Sequence, residues 1–151
     1  MRHLGALGIF VALVALVAVF GAQFEPGPWY EGLRKPPLNP PNWVFGPVWS
    51  ALYLIIAVAG WLVWGTRPES AKPLALWGSQ LVLNAAWSLL FFGLRLPSLA
   101  LLEILLLLAC LLATTISFFR VRALAGVLLL PYAAWVCFAA YLNAGLWYLN
   151  R

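Results

Sequence analysis

The sequence has little charge and few residues that carry acid–base or metal chemistry. Only 9% of its 151 residues are charged, aspartate is absent, and there are one histidine and two cysteines. Soluble domains carry about 25% charged residues, so this chain has too few to cover a water-facing surface. The shortage of charge excludes a soluble enzyme, a secreted disulfide scaffold and a disordered regulator.

The same shortage limits the available chemistry. No histidine stands near a serine or an acid and there is no glycine-rich phosphate loop, so hydrolytic catalysis is nearly excluded. Cys110 and Cys137 lie in apolar runs without a spaced metal motif, which predicts small core residues and no metal site. The net charge of +5 is scattered between apolar runs. It therefore favours lipid head groups, and no nucleic acid, as its partner.

Apolar residues make up 65% of the chain, and the mean hydropathy is +0.96. About 20 apolar residues form a helix that crosses a bilayer, and the charges divide this chain into five such stretches. Helices are predicted at about 4–24, 44–65, 73–94, 97–119 and 123–149. The first stretch is longer than the apolar region of a signal peptide, so we expect a retained helix. The prediction is an all-α, multi-pass integral membrane protein with a single domain, 1–151, folded as a five-helix bundle of antiparallel neighbours.

Basic residues do not orient this bundle. With five spans, one side carries five cations and the other four; these are Arg2, Arg67, Lys72, Arg120 and Arg122 against Arg34, Lys35, Arg95 and Arg151. The positive-inside rule needs a clearer asymmetry, so orientation stays open.

The loop at 25–43 is the one long connection. Its core, EPGPWYEGLRKPPLNPPN, holds six prolines and two glycines. Proline fixes φ and removes a donor, which predicts a stiff loop without helix. Trp29, Tyr30 and the Arg34–Lys35 pair give it amphipathic character and favour a lid over one mouth of the bundle. The alternative is an interfacial anchor whose rings and charges contact lipid.

Nine tryptophans in 151 residues are several times the ordinary usage. Tryptophan favours the membrane interface, which explains those near the predicted helix ends: Trp61, Trp64, Trp77 and Trp147, together with Trp29 and Trp43 of the loop region. Trp49, Trp87 and Trp135 differ, because they lie well inside predicted spans beside polar or helix-perturbing residues.

Residues three and four apart share a helix face, which places these three tryptophans on stripes. The second span aligns Trp49, Leu52, Tyr53 and Ile56; the third aligns Gln80, Asn84, Trp87 and Ser88; the fifth aligns Trp135, Ala139 and Asn143 after Pro131-Tyr132. Amide side chains in a membrane normally face the bundle interior. The stripes favour a ligand cavity with an aromatic lining and few polar groups. The alternative is packing, with amides bonding between helices.

Two further features have open interpretations. Small residues repeat at four-residue spacing, which favours close helix approach within the bundle or in a homodimer through the first or third span; they are Gly8 and Ala12, Ala18 and Ala22, and Ala71, Ala75 and Ser79. Glu103 lies about one turn into the fourth span, where an acid is a functional candidate. It could instead reach the head groups or pair with Arg95.

The segment WYEGLRKPPLNPPNWVFGPVWSALY, residues 29–53, resembles the signature of the TspO/MBR family of tryptophan-rich sensory and translocator proteins. Further matches are NAAW at 84–87, FFG at 91–93, PYAAW at 131–135 and LN at 142–143. The resemblance covers essentially the whole chain in order.

The resemblance implies a five-helix bundle, often dimeric, that binds porphyrins such as protoporphyrin IX, and benzodiazepine-type or other apolar small molecules, in a cavity under the first loop. Matching ligand-contacting positions are Tyr30, Trp49, Asn84, Trp87, Trp135 and Ala139; the stripes add Tyr53, Ser88 and Asn143. Sterol binding, implied for mitochondrial members, is not expected to be tight, because Ala144-Gly145 replaces the tyrosine that follows Leu142-Asn143 in the mammalian motif.

A receptor or sensor that binds porphyrin is the leading function, with the ring stacked on Trp49, Trp87 and Trp135 and its carboxylates near Arg34 or Lys35. A metal-free porphyrin is expected, because His3 and Met1 are terminal and neither cysteine adjoins the polar stripes. One alternative is an enzyme that degrades porphyrin in light, for which the resemblance implicates Trp49 and Trp135. Another is a tetrapyrrole or sterol transporter, although no inverted repeat is evident.

Overall fold

A computed structural model describes residues 2–66 and 70–151, with side chains from residue 4 onwards. Arg67 and the side chains of Arg2 and His3 therefore lie outside the description. Within the described ranges five helices are long and apolar enough to cross a membrane. The helical elements are α1 (Arg2–Ala22), α2 (Pro28–Glu31), α3 (Asn42–Trp64), α4 (Ala71–Ser88), a π-helical turn (Leu89–Gly93), α5 (Pro97–Val121) and α6 (Ala123–Leu149).

Proline marks the start of three of the helices, α2, α3 and α5. Helix α3 begins at Asn42, directly after Pro41, and is thus two residues longer at this end than predicted. Pro97 occupies the first turn of α5, where a missing N–H group costs nothing. The predicted third span, 73–94, is in fact α4 followed by the π-helical turn, a change of hydrogen-bond register that apolar periodicity does not reveal.

The predicted absence of helix in the 25–43 loop is wrong over one turn. Pro28 opens α2 at a first-turn position, where its fixed φ favours the helix. The Lys35 ammonium then donates to the carbonyls of Tyr30, Glu31 and Leu33 at 2.6, 3.1 and 2.9 Å. These bonds satisfy carbonyls around the end of α2 and make the loop a compact unit.

The long helices form an antiparallel bundle with two distinct ends. At one end, Arg122 donates to the Leu62 carbonyl at 3.5 Å, joining the α5–α6 turn to the end of α3. At the other end, the Asn150 side chain accepts from the Arg34 N–H at 2.8 Å and donates to the Arg34 carbonyl at 3.0 Å. The loop and the chain's last residues therefore lie at the same end.

Packing does not simply follow chain order. Helix α3 packs more extensively on α1 and α6 than on α4, although α4 follows it in the chain. Helix α1 packs on α3 and α4, and α5 lies between α4 and α6. This arrangement leaves α1, α3, α4 and α6 around one interior space, which α5 does not line.

Two residues do not lie where their positions in the sequence predicted. Trp77, predicted at the membrane interface, is buried in the core, where its indole N–H donates to the Ile56 carbonyl at 3.0 Å. Its ring also meets Phe10 edge-on at 5.0 Å. Cys137, predicted as a core residue, is exposed on the outside of the bundle, while Cys110 is half-buried.

Candidate functional site: an aromatic cavity beneath the loop

A cavity of about 750 Å³ opens in the half of the bundle that carries the loop. Its lining is mostly aromatic or small, with few polar groups. The lining residues are Ala18, Val19, Gly21, Ala22, Phe24, Glu25, Pro26, Asn42, Trp43, Phe45, Gly46, Trp49, Ser50, Tyr53, Trp87, Ser88, Phe92, Trp135 and Ala139.

Small residues of α1 form one wall of the cavity. A Cβ atom built on Gly21 would lie 3.5 Å from the Ser88 hydroxyl and 3.9 Å from the Tyr53 hydroxyl, so α1 approaches both polar groups closely. Ala18 and Ala22 line the cavity beside Gly21. Because their side chains are small, Ala18 and Ala22, one of the predicted small-residue repeats, leave room in the cavity for a ligand.

Aromatic rings from α3 and α6 form another wall. Trp49 lies 5.3 Å from Tyr53 between ring centroids and meets Tyr132 edge-on at 6.2 Å. Trp135 meets Phe45 edge-on at 6.1 Å. Because neighbouring rings hold each indole in place, the wall offers preformed aromatic surfaces to a flat ligand.

A chain of hydrogen bonds leads from this wall into the bundle core. The Tyr53 hydroxyl donates to the Asn84 oxygen at 3.1 Å, and the Asn84 amide donates to the Tyr132 hydroxyl at 2.9 Å. The Tyr132 hydroxyl in turn donates to the Gln80 oxygen at 2.8 Å. All three bonds run in the same donor-to-acceptor direction, from Tyr53 towards Gln80. The Tyr53 hydroxyl proton is therefore already used in a hydrogen bond, and the hydroxyl can only accept a hydrogen bond from a ligand in the cavity.

Trp87 is held by a second polar connection. Its indole N–H donates to the Asn143 oxygen at 3.0 Å, and the Asn143 amide donates to the Pro97 carbonyl at 2.8 Å. The π-helical turn that follows stacks Phe91 on Trp87, with ring centroids 5.1 Å apart. Thus α4, α5 and α6 are tied together at the cavity's inner edge.

The structure brings six of the nine predicted ligand-binding residues to the cavity wall: Trp49, Tyr53, Trp87, Ser88, Trp135 and Ala139. Asn84 is buried directly behind Tyr53, to which it is bonded. Tyr30 and Asn143 instead line a smaller space of about 30 Å³, which shares Trp87 and other lining residues with the cavity.

The two predicted lid cations do not line either space. The Lys35 ammonium is occupied by carbonyls of its own loop and also lies 4.7 Å from the Tyr30 ring centroid. Arg34 is exposed, and its backbone is bonded to Asn150. In this conformation, neither cation reaches a molecule within the cavity.

Tyr30 fixes the loop to the bundle. It is 2% exposed, packs edge-on against Phe91 and Phe92, and donates its hydroxyl to the Asn39 oxygen at 3.3 Å. Burial raises the pKa of Tyr30, and the contact with Asn39 lowers it by a smaller amount. The phenol is therefore neutral at physiological pH and serves as an anchor, which also explains why it does not face the cavity.

Sequence reasoning missed several lining residues. Phe45 and Phe92 line both spaces, while Gly21 and Gly46 line the cavity alone. Phe45 lies four residues before Trp49 on α3, so extending that stripe by one turn would have found it. Phe92 belongs to the π-helical turn, where α-helical spacing gives no guide.

Glu103 makes neither of the two contacts considered from the sequence, with the lipid head groups or with Arg95. Both its carboxyl oxygens are buried and without a hydrogen-bond partner, so it neither reaches the head groups nor bonds to Arg95. Among the residues that the structure describes, no three histidine, cysteine or acidic side chains cluster as metal ligands would.

Comparison with known proteins agrees with this architecture. The family model described as the TspO/MBR family matches residues 9–149. The human translocator protein is 40% identical over 149 residues, covering 94% of this chain and 88% of that protein. Tryptophan-rich protein TspO of Chlorobaculum tepidum is 39% identical and covers 99% of this chain and 98% of its own. Protein CrtK of Rhodobacter capsulatus is 36% identical, with coverage of 94% and 91%.

Similarity of this extent, over a bundle with five candidate spans, identifies the chain as a multi-pass integral membrane protein of the TspO/MBR family.

Proposed function

We propose that the protein is a membrane receptor or sensor that binds porphyrins, including protoporphyrin IX, in the aromatic cavity. The observation that carries this proposal is the lining itself: about 750 Å³ bounded by Trp49, Trp87 and Trp135 with few polar groups. Small-molecule sites typically measure about 300–1,000 Å³ and combine apolar walls with a few polar groups.

The ligand's two kinds of surface suit different parts of this space. The flat macrocycle stacks on the indole walls, whereas its carboxylates lie at the mouth, toward the membrane surface. Among the residues that the structure describes, no lysine or arginine lines the cavity. A contact between the carboxylates and Arg34 or Lys35 therefore requires the loop to shift, and lipid-surface water solvates the carboxylates otherwise.

The metal-free form is the proposed ligand. Neither cysteine is part of the lining. Within the described part of the chain, Tyr53 is the one lining side chain of a type that ligates haem iron, and its hydroxyl donates its proton to Asn84. A Soret spectrum of bound haem with histidine or thiolate ligation would contradict this part of the proposal.

Quenching of tryptophan fluorescence by protoporphyrin tests the proposal. In purified protein, the quenching should saturate, and its amplitude should fall in Trp49→Phe and Trp135→Phe. Trp147→Phe is the matched control, because Trp147 lies near the chain end beside Arg151 and does not line the cavity. Linear quenching without saturation in every variant would mean that the pigment only partitions into detergent.

Breakdown of porphyrin in light is a second candidate function. It is favoured by the position of two indoles, Trp49 and Trp135, directly on the cavity wall, where a bound pigment would contact both. Loss of pigment absorbance under illumination, with product bands that are absent in the dark, separates this enzyme from a receptor.

A further inference from the structure

Three buried side-chain atoms in the described part of the chain have no hydrogen-bond partner. They are the Gln80 amide nitrogen and both carboxyl oxygens of Glu103. Nearly all buried polar groups in proteins are paired with protein or with an ordered water. The unpaired Gln80 donor and the two unpaired Glu103 acceptors therefore need an explanation. Neither residue has a role in the proposed function of the cavity.

Both residues lie at the interface of α4 and α5. Glu103 and Cys110 are seven residues apart and share a face of α5, and the Cys110 thiol points to the Leu76 carbonyl of α4 at 3.7 Å. Gln80 follows Leu76 by one turn on α4 and is fully buried. Gln80 and Glu103 are thus on facing sides of two packed helices.

The helical rise places them at neighbouring levels. From the Cys110–Leu76 contact, Glu103 is about 10 Å along α5 and Gln80 about 6 Å along α4 in the same direction, since the helices are antiparallel. Along the helix axes, the positions of Glu103 and Gln80 therefore differ by about 4–5 Å. Two long side chains and one water molecule span such a gap, and a buried water typically satisfies groups of this kind.

The surroundings of Glu103 favour its neutral form. Of the elements packed on α5, α4 carries Lys72 as its only charged residue, about 16 Å along the axis from Glu103, and the π-helical turn has none. Helix α6 contributes the phenol of Tyr132, and α5 itself the thiol of Cys110. Arg95, before α5, is exposed and does not bond to the carboxyl. An ionised carboxylate without donors or a cation is strongly disfavoured within a membrane.

We propose that Glu103 and Gln80 form a buried proton-binding site between α4 and α5, in which Glu103 is a neutral carboxylic acid bridged by one water to the Gln80 amide. The site connects to the cavity, because Gln80 is the last member of the chain that begins at Tyr53. Hydrogen bonds in such a chain polarise one another, so a change at Tyr53 alters the Gln80 amide and its partner.

Infrared spectroscopy of the protein in lipid tests the site without any ligand, so its outcome is independent of the proposed function. The four glutamates are the only side-chain carboxyls in the chain, which makes the spectrum simple. An ordinary glutamate, with a pKa of about 4.3, is protonated to less than about 1% at pH 7. We expect protonated-carboxyl C=O absorption from one glutamate at pH 7.

Glu103→Gln should remove this band, and Glu31→Gln, at an exposed loop position, should leave it unchanged. Labelling glutamate with ¹³C in the unaltered protein should shift the band, which assigns it without a substitution. Absence of the band at pH 7, or its survival in Glu103→Gln, would overturn the site.

The connection to the cavity has its own test. Gln80→Leu and Tyr53→Phe should both shift the frequency of the Glu103 band, because each removes a member of the chain. Tyr148→Phe, at an exposed position near the end of α6, is the matched control and should not shift it. A band in Tyr53→Phe that is identical to that of the control would overturn the connection.

Discussion

Individual tryptophans have different roles, which depend on whether the indole N–H is hydrogen-bonded within the protein. The indole N–H groups of Trp77 and Trp87 donate to protein acceptors. These bonds hold Trp77 in the core and Trp87 at the edge of the cavity. Trp49 and Trp135 contribute ring surface to the cavity wall and are held by aromatic contacts. Their substitution by phenylalanine therefore preserves the packing better than it would at Trp77 or Trp87.

Trp135→Phe separates binding from photochemistry. If light-dependent breakdown proceeds through indole redox, this variant should still bind protoporphyrin with saturation but should lose pigment breakdown entirely, because phenylalanine is much harder to oxidise. The measurement is pigment absorbance during illumination beside a dark sample. Turnover equal to that of the unaltered protein would remove Trp135 from the mechanism.

Gly60 permits close packing between α1, α3 and α4. A Cβ atom there would lie 2.7 Å from the Trp77 ring and 2.9 Å from the Phe10 ring. We expect Gly60→Ala to destabilise the bundle by about 1–3 kcal/mol, as overpacking commonly does, measured by thermal denaturation in detergent. Gly78→Ala is the control: its Cβ would meet nothing within 4 Å, and the better helix former should leave stability unchanged or higher. Equal melting temperatures in the two variants would contradict this packing.

At the scale of elements, the loop behaves as a part of the bundle. Asn150 brackets the backbone of Arg34, the Tyr141 hydroxyl donates to the Pro37 carbonyl at 2.9 Å, and Pro36 packs against the backbone at Gly145. All three contacts are made by α6 or the residue just after it. The loop segment 34–37 is therefore clamped, whereas Glu25 and Pro26 at its start line the cavity.

Asn150→Ala should loosen this clamp. Two hydrogen bonds to Arg34 are lost, each contributing about 0.5–1.5 kcal/mol, so trypsin should cut the Arg34–Lys35 bond about tenfold faster. Gln23→Ala is the control, because the Gln23 side chain bonds only to the Val19 carbonyl of its own helix. An unchanged cleavage rate in Asn150→Ala would show that other contacts alone hold the loop.

At the scale of the whole molecule, the bundle separates two membrane faces. The loop, the turn at 94–96 and Arg151 lie at one end, and Lys72 and Arg122 at the other. The repeats Gly8 with Ala12 and Ala71 with Ala75 and Ser79 are exposed on the outside of the single chain. Homodimerisation through these faces stays a prediction.

Labelling of single cysteines tests the two faces. In a background with Cys110 and Cys137 replaced by alanine, Leu38→Cys and Arg95→Cys should react with a membrane-impermeant reagent from the same side of sealed vesicles. Lys72→Cys and Arg122→Cys should react only from the opposite side. Labelling of Leu38→Cys and Lys72→Cys from one side would contradict the five-span topology.

Apolar length and the spacing of charges are enough to predict that the chain crosses a membrane with five helices, because both are read directly along the chain. The predicted last span, 123–149, has the same bounds as α6, since Arg122 and Asn150 end the apolar run at its two sides. Helical periodicity likewise placed Trp49, Tyr53, Trp87 and Trp135 on inward faces, because three- and four-residue spacing is a local property.

Which of these residues meet depends on how the helices pack against one another. Tyr30 packs under the loop, Asn84 lies behind Tyr53, and Lys35 caps its own loop, all through contacts whose partners the sequence pattern does not specify. The π-helical turn and the short α2 arise from hydrogen bonds that apolar periodicity does not record. The unpartnered carboxyl of Glu103 is visible only once α4 and α5 are packed, because burial and hydrogen bonding are properties of neighbouring helices and not of the residue itself.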